Sequence, residues 1–282
     1  MIGTIIGDIV GSPYEGGYKK TVNTVNFPLF EKESRFTDDT VLTCATAHAL
    51  LTPSLAPYKN RFAKQYKEWA IEYPDRGYGG RFKQWVAQKR MSVADSYANG
   101  CMMRCSPIAM FYPKKEDALR KAMDSIAYTH NSPESARGVQ AIVEAIHMAL
   151  SGATKEEIKT RIQIQYGHML DLTLLQLRDR VSRAPRDIRC NYTAPQALMC
   201  FLLSDDYESA IRYSVFTGGD TDTIAAIAGG IAEAFYGVDT IPQKMINEAL
   251  VRLNPSLINL IHRFYDKVGE HNPKYRGFDL FA

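Results

Sequence analysis

Ile2, Ile5, Ile6, Ile9 and Val10 recur on one helix face, while Gly3, Gly7 and Gly11 fall every fourth residue on another. A glycine inside a helix costs about 1 kcal/mol relative to alanine, so three in one short run predict an opening helix whose backbone is approached very closely by a neighbour. The same period marks 38–51, 58–71, 116–124, 133–150 and 155–165, the last behind the capping box Thr154/Glu157. It continues through 194–203, 205–216, 223–235, 242–253 and 256–268. No strand-turn-strand alternation has comparable strength, so the expected fold class is all-α. No Pro/Gly/Ser-rich linker, composition break or internal repeat divides the chain, which predicts one domain over 1–282.

Composition narrows the class without choosing a partner. Hydrophobic residues are 45% and charged residues 23% of the 282, ordinary globular usage that excludes collagenous, low-complexity and polyelectrolyte chains. A net charge of +3 is too small to imply nucleic acid or an anionic membrane. Five cysteines without a C-x-x-C pair argue against a disulfide framework and a thiolate zinc site, and fit a reducing cytoplasm. The opening MIGTIIGDIVGS has no basic leader and carries Asp8 inside its apolar stretch, unlike a secretory signal. The longest uncharged stretch, 40–58, holds His48, several threonines and two prolines, whereas a membrane span needs roughly 20 mostly apolar residues.

The candidate chemistry sits between the helices, in 12–17, 36–40, 75–80, 96–104, 129–131 and 218–223. Thr37-Asp38-Asp39-Thr40 precedes a helical run, where Thr37 as N-cap and two acids at the positive end of the helix dipole are a sufficient structural account. Gly218-Gly219-Asp220-Thr221-Asp222-Thr223 repeats the arrangement, with acids two residues apart so that both carboxylates can face one ion. Four carboxylates with threonine hydroxyls form an all-oxygen donor set suited to Mg²⁺, Mn²⁺ or Ca²⁺ rather than zinc. Their mutual repulsion favours a binuclear site. An EF-hand is excluded because Ile231 stands where the twelfth-position Glu belongs, and a terpenoid-synthase pattern wants another acid where Leu42 stands. There is no His-Asp dipeptide of the HD phosphohydrolase kind. Ile224, Ile227, Ile231 and Phe235 trace a core stripe behind the second cluster, while Ala225, Ala228, Gly229 and Ala232 leave room for another helix.

Taken in order, Gly7-Asp8 with Glu15, Thr37-Asp38-Asp39-Thr40, Ser96-Tyr97-Ala98-Asn99-Gly100 running into Met103-Arg104, and Gly218 to Thr223 resemble the ADP-ribosylglycohydrolase family, the group related to dinitrogenase reductase-activating glycohydrolase. The resemblance spans almost the whole chain. It implies an orthogonal all-α bundle with two Mg²⁺ (or Mn²⁺) ions ligated at Thr37, Asp38, Asp39, Asp220, Asp222 and Thr223. The implied reaction is hydrolysis of the glycosidic bond between ADP-ribose and an acceptor. A cation fixes ribose hydroxyls and acidifies water, while a carboxylate stabilises the oxocarbenium-like transition state and moves protons.

Glu15, in the glycine-bearing 12–17 loop, and Asp39 are the candidates for those carboxylate roles, with Asp8 supporting the site from outside the ligand set. The resemblance also gives an acid matching Asp75 a part in handling the leaving group. Gly77, Tyr78 and Gly79 offer backbone donors for a diphosphate, although the P-loop lysine is missing. Ser96, Tyr97, Asn99 and Gly100 match the family's ADP-ribose loop, with Ala98 in place of its usual glycine, and His130 matches a substrate-contacting histidine. His48, His147, His168, His262 and His271 receive no role. Cys101 and Cys105 read as buried small residues, since nothing supplies the base a nucleophile requires. The expected partner is ADP-ribose or an ADP-ribosylated acceptor, with no membrane and with nucleic acid only as a modified substrate. The rival classes are a non-catalytic ADP-ribose-binding module and a crystallin-like structural relative.

Overall fold

Fourteen α-helices follow one another along the residues that the computed structural model describes, 1–17 and 22–281, and the only bridges among them are isolated, Asp95 with His130 and Ala98 with Arg189. The first half holds α1 (Ile2–Gly11), α2 (Asp38–Leu51), α3 (Tyr58–Glu72), α4 (Gly80–Ala87), α5 (Ser106–Phe111), α6 (Lys115–Ile126) and α7 (Pro133–Leu150). The second holds α8 (Lys155–Tyr166), α9 (Leu174–Ser182), α10 (Cys190–Leu203), α11 (Tyr207–Thr217), α12 (Thr221–Tyr236), α13 (Gln243–Leu250) and α14 (Pro255–Gly269).

The centre of the molecule is the α1–α12 pair, around which α2, α5, α7, α10 and α11 pack. The glycines of α1 make this possible. A Cβ at Gly7 would lie 2.1 Å from the carbonyl oxygen of Ala225, and one at Gly11 would lie 2.5 Å from Cα of Asp222. Only hydrogen at those positions lets the two backbones touch. The close approach predicted by the spacing is therefore present, and it brings the end of α1 against the start of α12. Glu233 on α12 accepts hydrogen bonds from the backbone N–H of Gly3 (2.7 Å) and from the Tyr265 hydroxyl (2.6 Å), tying α1, α12 and α14 together in the core.

The period locates ten of the later helices, and α2 and α7 keep the predicted bounds. α10 begins at Cys190 rather than at 194, with Pro195 inside the helix. Its first turn is anchored from outside, since the N–H of Cys190 donates to the carbonyl of Tyr97 (2.9 Å). α4, α5 and α9 are not marked by the period. α5 has six residues, too few to display it, and α9 is announced instead by the capping box Thr173/Gln176. No helix among the described residues is long and apolar enough to cross a membrane.

Candidate active site

Two helix N-termini and one helix interior deliver carboxylates to the same place. Thr37 caps α2, its hydroxyl oxygen accepting from the N–H of Asp39 (3.3 Å), so Asp38 and Asp39 fall in the first turn. Gly218 and Gly219 both have positive φ (79° and 87°), the turn that reverses the chain after α11 and starts α12. The Thr221 hydroxyl donates to the carbonyl of Gly11 (2.9 Å), fixing the start of α12 on the end of α1. Asp8, from the interior of α1, accepts from the N–H (2.9 Å) and hydroxyl (2.7 Å) of Thr37, and from the N–H (3.0 Å) and hydroxyl of Thr40.

Asp8, Asp39 and Asp222 each place a carboxylate oxygen within 4.8 Å of the others, and Glu15, Asp220 and Asp222 form a second such group, so Asp222 is common to both. Thr223 joins them, donating from its hydroxyl to Asp39 Oδ2 (3.3 Å). The Thr37 hydroxyl is turned to Asp8. Asp38 lies beside Gly77: a Cβ there would be 3.1 Å from Asp38 Oδ1.

Electrostatically the cluster is incomplete. Burial first, and then repulsion from Asp8, pushes the Asp38 carboxyl up to about 8, with Asp220 and Glu15 adding to it. Burial and the neighbouring carboxylates likewise hold Asp39 and Asp222 well above the ordinary carboxylate range. Burial also raises Asp220, against the hydrogen bond it accepts from Asn99. No described cationic side chain forms an ion pair with Asp8, Asp38, Asp39, Asp220 or Asp222. Asp39 Oδ1 is buried with no partner. An all-oxygen set carrying excess negative charge and an unused buried lone pair fits a hard divalent cation.

The remaining candidates lie around this cluster. Glu15 is exposed, in the 3₁₀ turn Ser12–Gly17, and reaches it. In the 75–80 segment, the carbonyl of Arg76 accepts from the N–H of Asp38 (2.7 Å). Tyr78 is buried against Phe82 with no hydrogen-bond partner for its hydroxyl, whereas Asp75 and Gly79 are exposed, and Asp75 makes no hydrogen bond or ion pair among the described residues. The 96–100 loop is pinned by backbone bonds from Asn99 to Ile188 (2.8 Å) and from Cys190 to Tyr97 (2.9 Å). Its Ser96 hydroxyl accepts from the N–H of Ala98 (3.2 Å), and Tyr97 projects its ring to solvent, 45% exposed. The Asn99 side chain is already committed, donating to Asp220 Oδ2 (2.6 Å) and Thr193 (3.2 Å). His130 is buried with its Nε2 toward Gly100, where a Cβ would lie 3.7 Å from it. Thr40, and the link from Asn99 to Asp220, are the parts of the site that the spacing alone does not single out.

A family model described as ADP-ribosylglycohydrolase matches residues 1–273. The chain is 27% identical over 316 residues to the ADP-ribosylhydrolase ARH3 of Homo sapiens, covering 86% of each chain. It is 23% identical over 270 residues to the ADP-ribosylarginine hydrolase Tri1 of Pseudomonas putida (strain GB-1), covering 88% of this chain and 72% of the relative. Among solved structures, an ADP-ribosylglycohydrolase-related protein complex superposes with a TM-score of 0.71 at 24% identity over 95% of both chains, a likeness of fold.

Proposed function

Since the chain belongs to the ADP-ribosylglycohydrolase family and is a hydrolase, we propose that it cleaves the N- or O-glycosidic bond joining ADP-ribose to an acceptor, using two Mg²⁺ or Mn²⁺ ions. The observation that carries this reading is the meeting of Asp39, Asp220 and Asp222, with Asp8 and Glu15, at two helix N-termini. Thr37, Asp38, Asp39, Asp220, Asp222 and Thr223 would hold the cations. When bound, these would fix ribose hydroxyls and lower the pKa of a water.

The chain's own groups account for the rest. Asp8 satisfies the hydroxyl and N–H donors of Thr37 and Thr40, which sets the direction in which the first turn of α2 presents Asp38 and Asp39. Asn99 couples the 96–100 loop to Asp220, so a ligand held by that loop is placed in register with the carboxylates. Ser96, Tyr97 and Gly100 would receive the diphosphate and an aromatic group, with Gly77, beside Asp38, and Tyr78 and Gly79 as further backbone donors for the diphosphate. Glu15, at the exposed rim yet within reach of Asp220 and Asp222, is suited to stabilising positive charge at the anomeric carbon and to moving the proton of the attacking water. Asp39 is the alternative carboxylate for that role, and the exposed Asp75 would take part in handling the leaving group.

The relatives' names include an ADP-ribosylhydrolase and an ADP-ribosylarginine hydrolase. Incubation of the purified protein with Mg²⁺ or Mn²⁺ and a panel of ADP-ribosylated arginine, serine, DNA and O-acetyl substrates tests the reading. Release of ADP-ribose from at least one, abolished by chelation, is expected. Binding of ADP-ribose with no turnover of any substrate would instead identify a binding module.

A further inference from the structure

We propose that Arg104 and Thr129 are positioning residues that fix His130 as an imidazole with its proton on Nε2, so that the ring offers an N–H donor to the substrate at the 96–100 loop. The part played toward substrate rests on the preceding reading, that this loop receives ADP-ribose. The proton assignment rests on the geometry of this chain alone.

Arg104 is fully buried, its guanidinium carbon 3.9 Å from the centroid of the Tyr66 ring, and no carboxylate pairs with it among the described residues. Its Nη2 donates to the Thr129 hydroxyl oxygen (2.7 Å) and, more weakly, to the carbonyl of Ser125 (3.4 Å). A guanidinium has donors only, so Thr129 must be the acceptor in that bond. The hydroxyl then has one hydrogen to give, and His130 Nδ1, 2.9 Å away, is the one acceptor in reach among the described residues. Nδ1 therefore carries the lone pair and Nε2 the hydrogen. The opposite tautomer would leave a buried hydroxyl hydrogen without a partner. Protonation of both nitrogens is opposed as well, since burial and then the nearby Arg104 cation hold His130 well below its ordinary range. Nε2 itself faces Gly100 and makes no hydrogen bond among the described residues. The relay thus ends in a neutral donor aimed at the loop, a group that binds an oxygen acceptor of the ligand and does not serve as a general acid.

The test is ¹⁵N NMR of histidine-labelled, ligand-free protein, with the His130 ring signals assigned by their loss in His130→Gln. Wild type is expected to show protonated Nε2 and bare Nδ1 at neutral pH. Thr129→Val, nearly isosteric, removes the hydroxyl and should release the tautomer preference, weakening ADP-ribose binding and raising KM about three- to ten-fold, the worth of one hydrogen bond, with kcat little changed. Thr129→Ser should restore both the tautomer and the affinity. A wild-type ring protonated on Nδ1 overturns the relay, as does a folded Thr129→Val protein that keeps the wild-type tautomer and affinity. Failure of the wild type to bind ADP-ribose would overturn the loop's assignment, and with it the substrate-facing role, while the ¹⁵N signals report the tautomer independently.

Discussion

Asp222 contributes to both carboxylate groups, whereas Glu15 belongs to one and stands at the rim, and the two should therefore fail differently. Asp222→Ala removes the oxygen shared between the groups. Isothermal calorimetry with Mn²⁺ should show loss or strong weakening of cation binding, and hydrolysis should collapse while the circular dichroism spectrum stays helical. Normal turnover at limiting metal would remove this turn from the metal site. Glu15→Gln keeps shape and hydrogen-bonding capacity but deletes the charge. Its loss should fall on kcat by about 10²- to 10⁴-fold, the usual contribution of a positioned acid or base, with ADP-ribose affinity nearly unchanged. Single-turnover hydrolysis measured beside calorimetric binding separates the two cases, and a deficit explained wholly by weaker binding would point to Asp39 or Asp75 instead.

Between elements, the site depends on the α1–α12 contact, because Gly11 and Thr221 set where the second acid cluster begins. Gly7→Ala places a methyl group 2.1 Å from a backbone carbonyl, a clash that no rotamer relieves. The expected loss is about 3 kcal/mol or more, outweighing the better helix propensity of alanine, and thermal unfolding should fall by roughly 5–10 °C. An unchanged melting temperature would mean that the helices can part without cost. This contact was legible in the sequence, because glycines every fourth residue weaken an apolar helix unless a second backbone lies against them. The acid clusters were legible for a related reason, a capping threonine or paired glycines ahead of a periodic run. What period and caps do not encode is the direction of loop side chains. Asp75 and Tyr78 are three residues apart, yet one is exposed and the other buried. The Asn99 amide turns inward to Asp220 because the loop is pinned by Ile188 and Cys190, nearly a hundred residues away in sequence. Asp8 carried a sequence signal, an acid within an apolar helix, but its four donors come from Thr37 and Thr40, which only the folded chain brings near.

For the molecule as a whole, the carboxylate cluster ties stability to pH and, on the proposed function, to cation as well. Asp38 is raised to about 8, and Asp39 and Asp222 are raised also, above the unfolded value near 3.8. An acid whose folded pKa exceeds its unfolded one binds more protons in the folded state, so its favourable contribution is complete below the unfolded value and disappears as pH rises through the folded one. The cluster should consequently stabilise the metal-free protein less and less as pH rises from about 4 through 8, opposite in sign to salt-bridged carboxylates and to the buried His130 and His168, whose lowered folded values make them stabilise more as pH rises toward 6.5. A divalent cation held by the cluster would reverse this, since it would bind the ionised carboxylates and compete with protons for the same oxygens. At a free concentration 100 times its Kd, one bound ion adds about 2.7 kcal/mol, and the gain should be larger at pH 8 than at pH 5. Differential scanning calorimetry of chelator-treated protein, with and without Mn²⁺ at both pH values, measures the difference directly. The absence of any cation-dependent rise at pH 8 would show that the cluster is not a cation site.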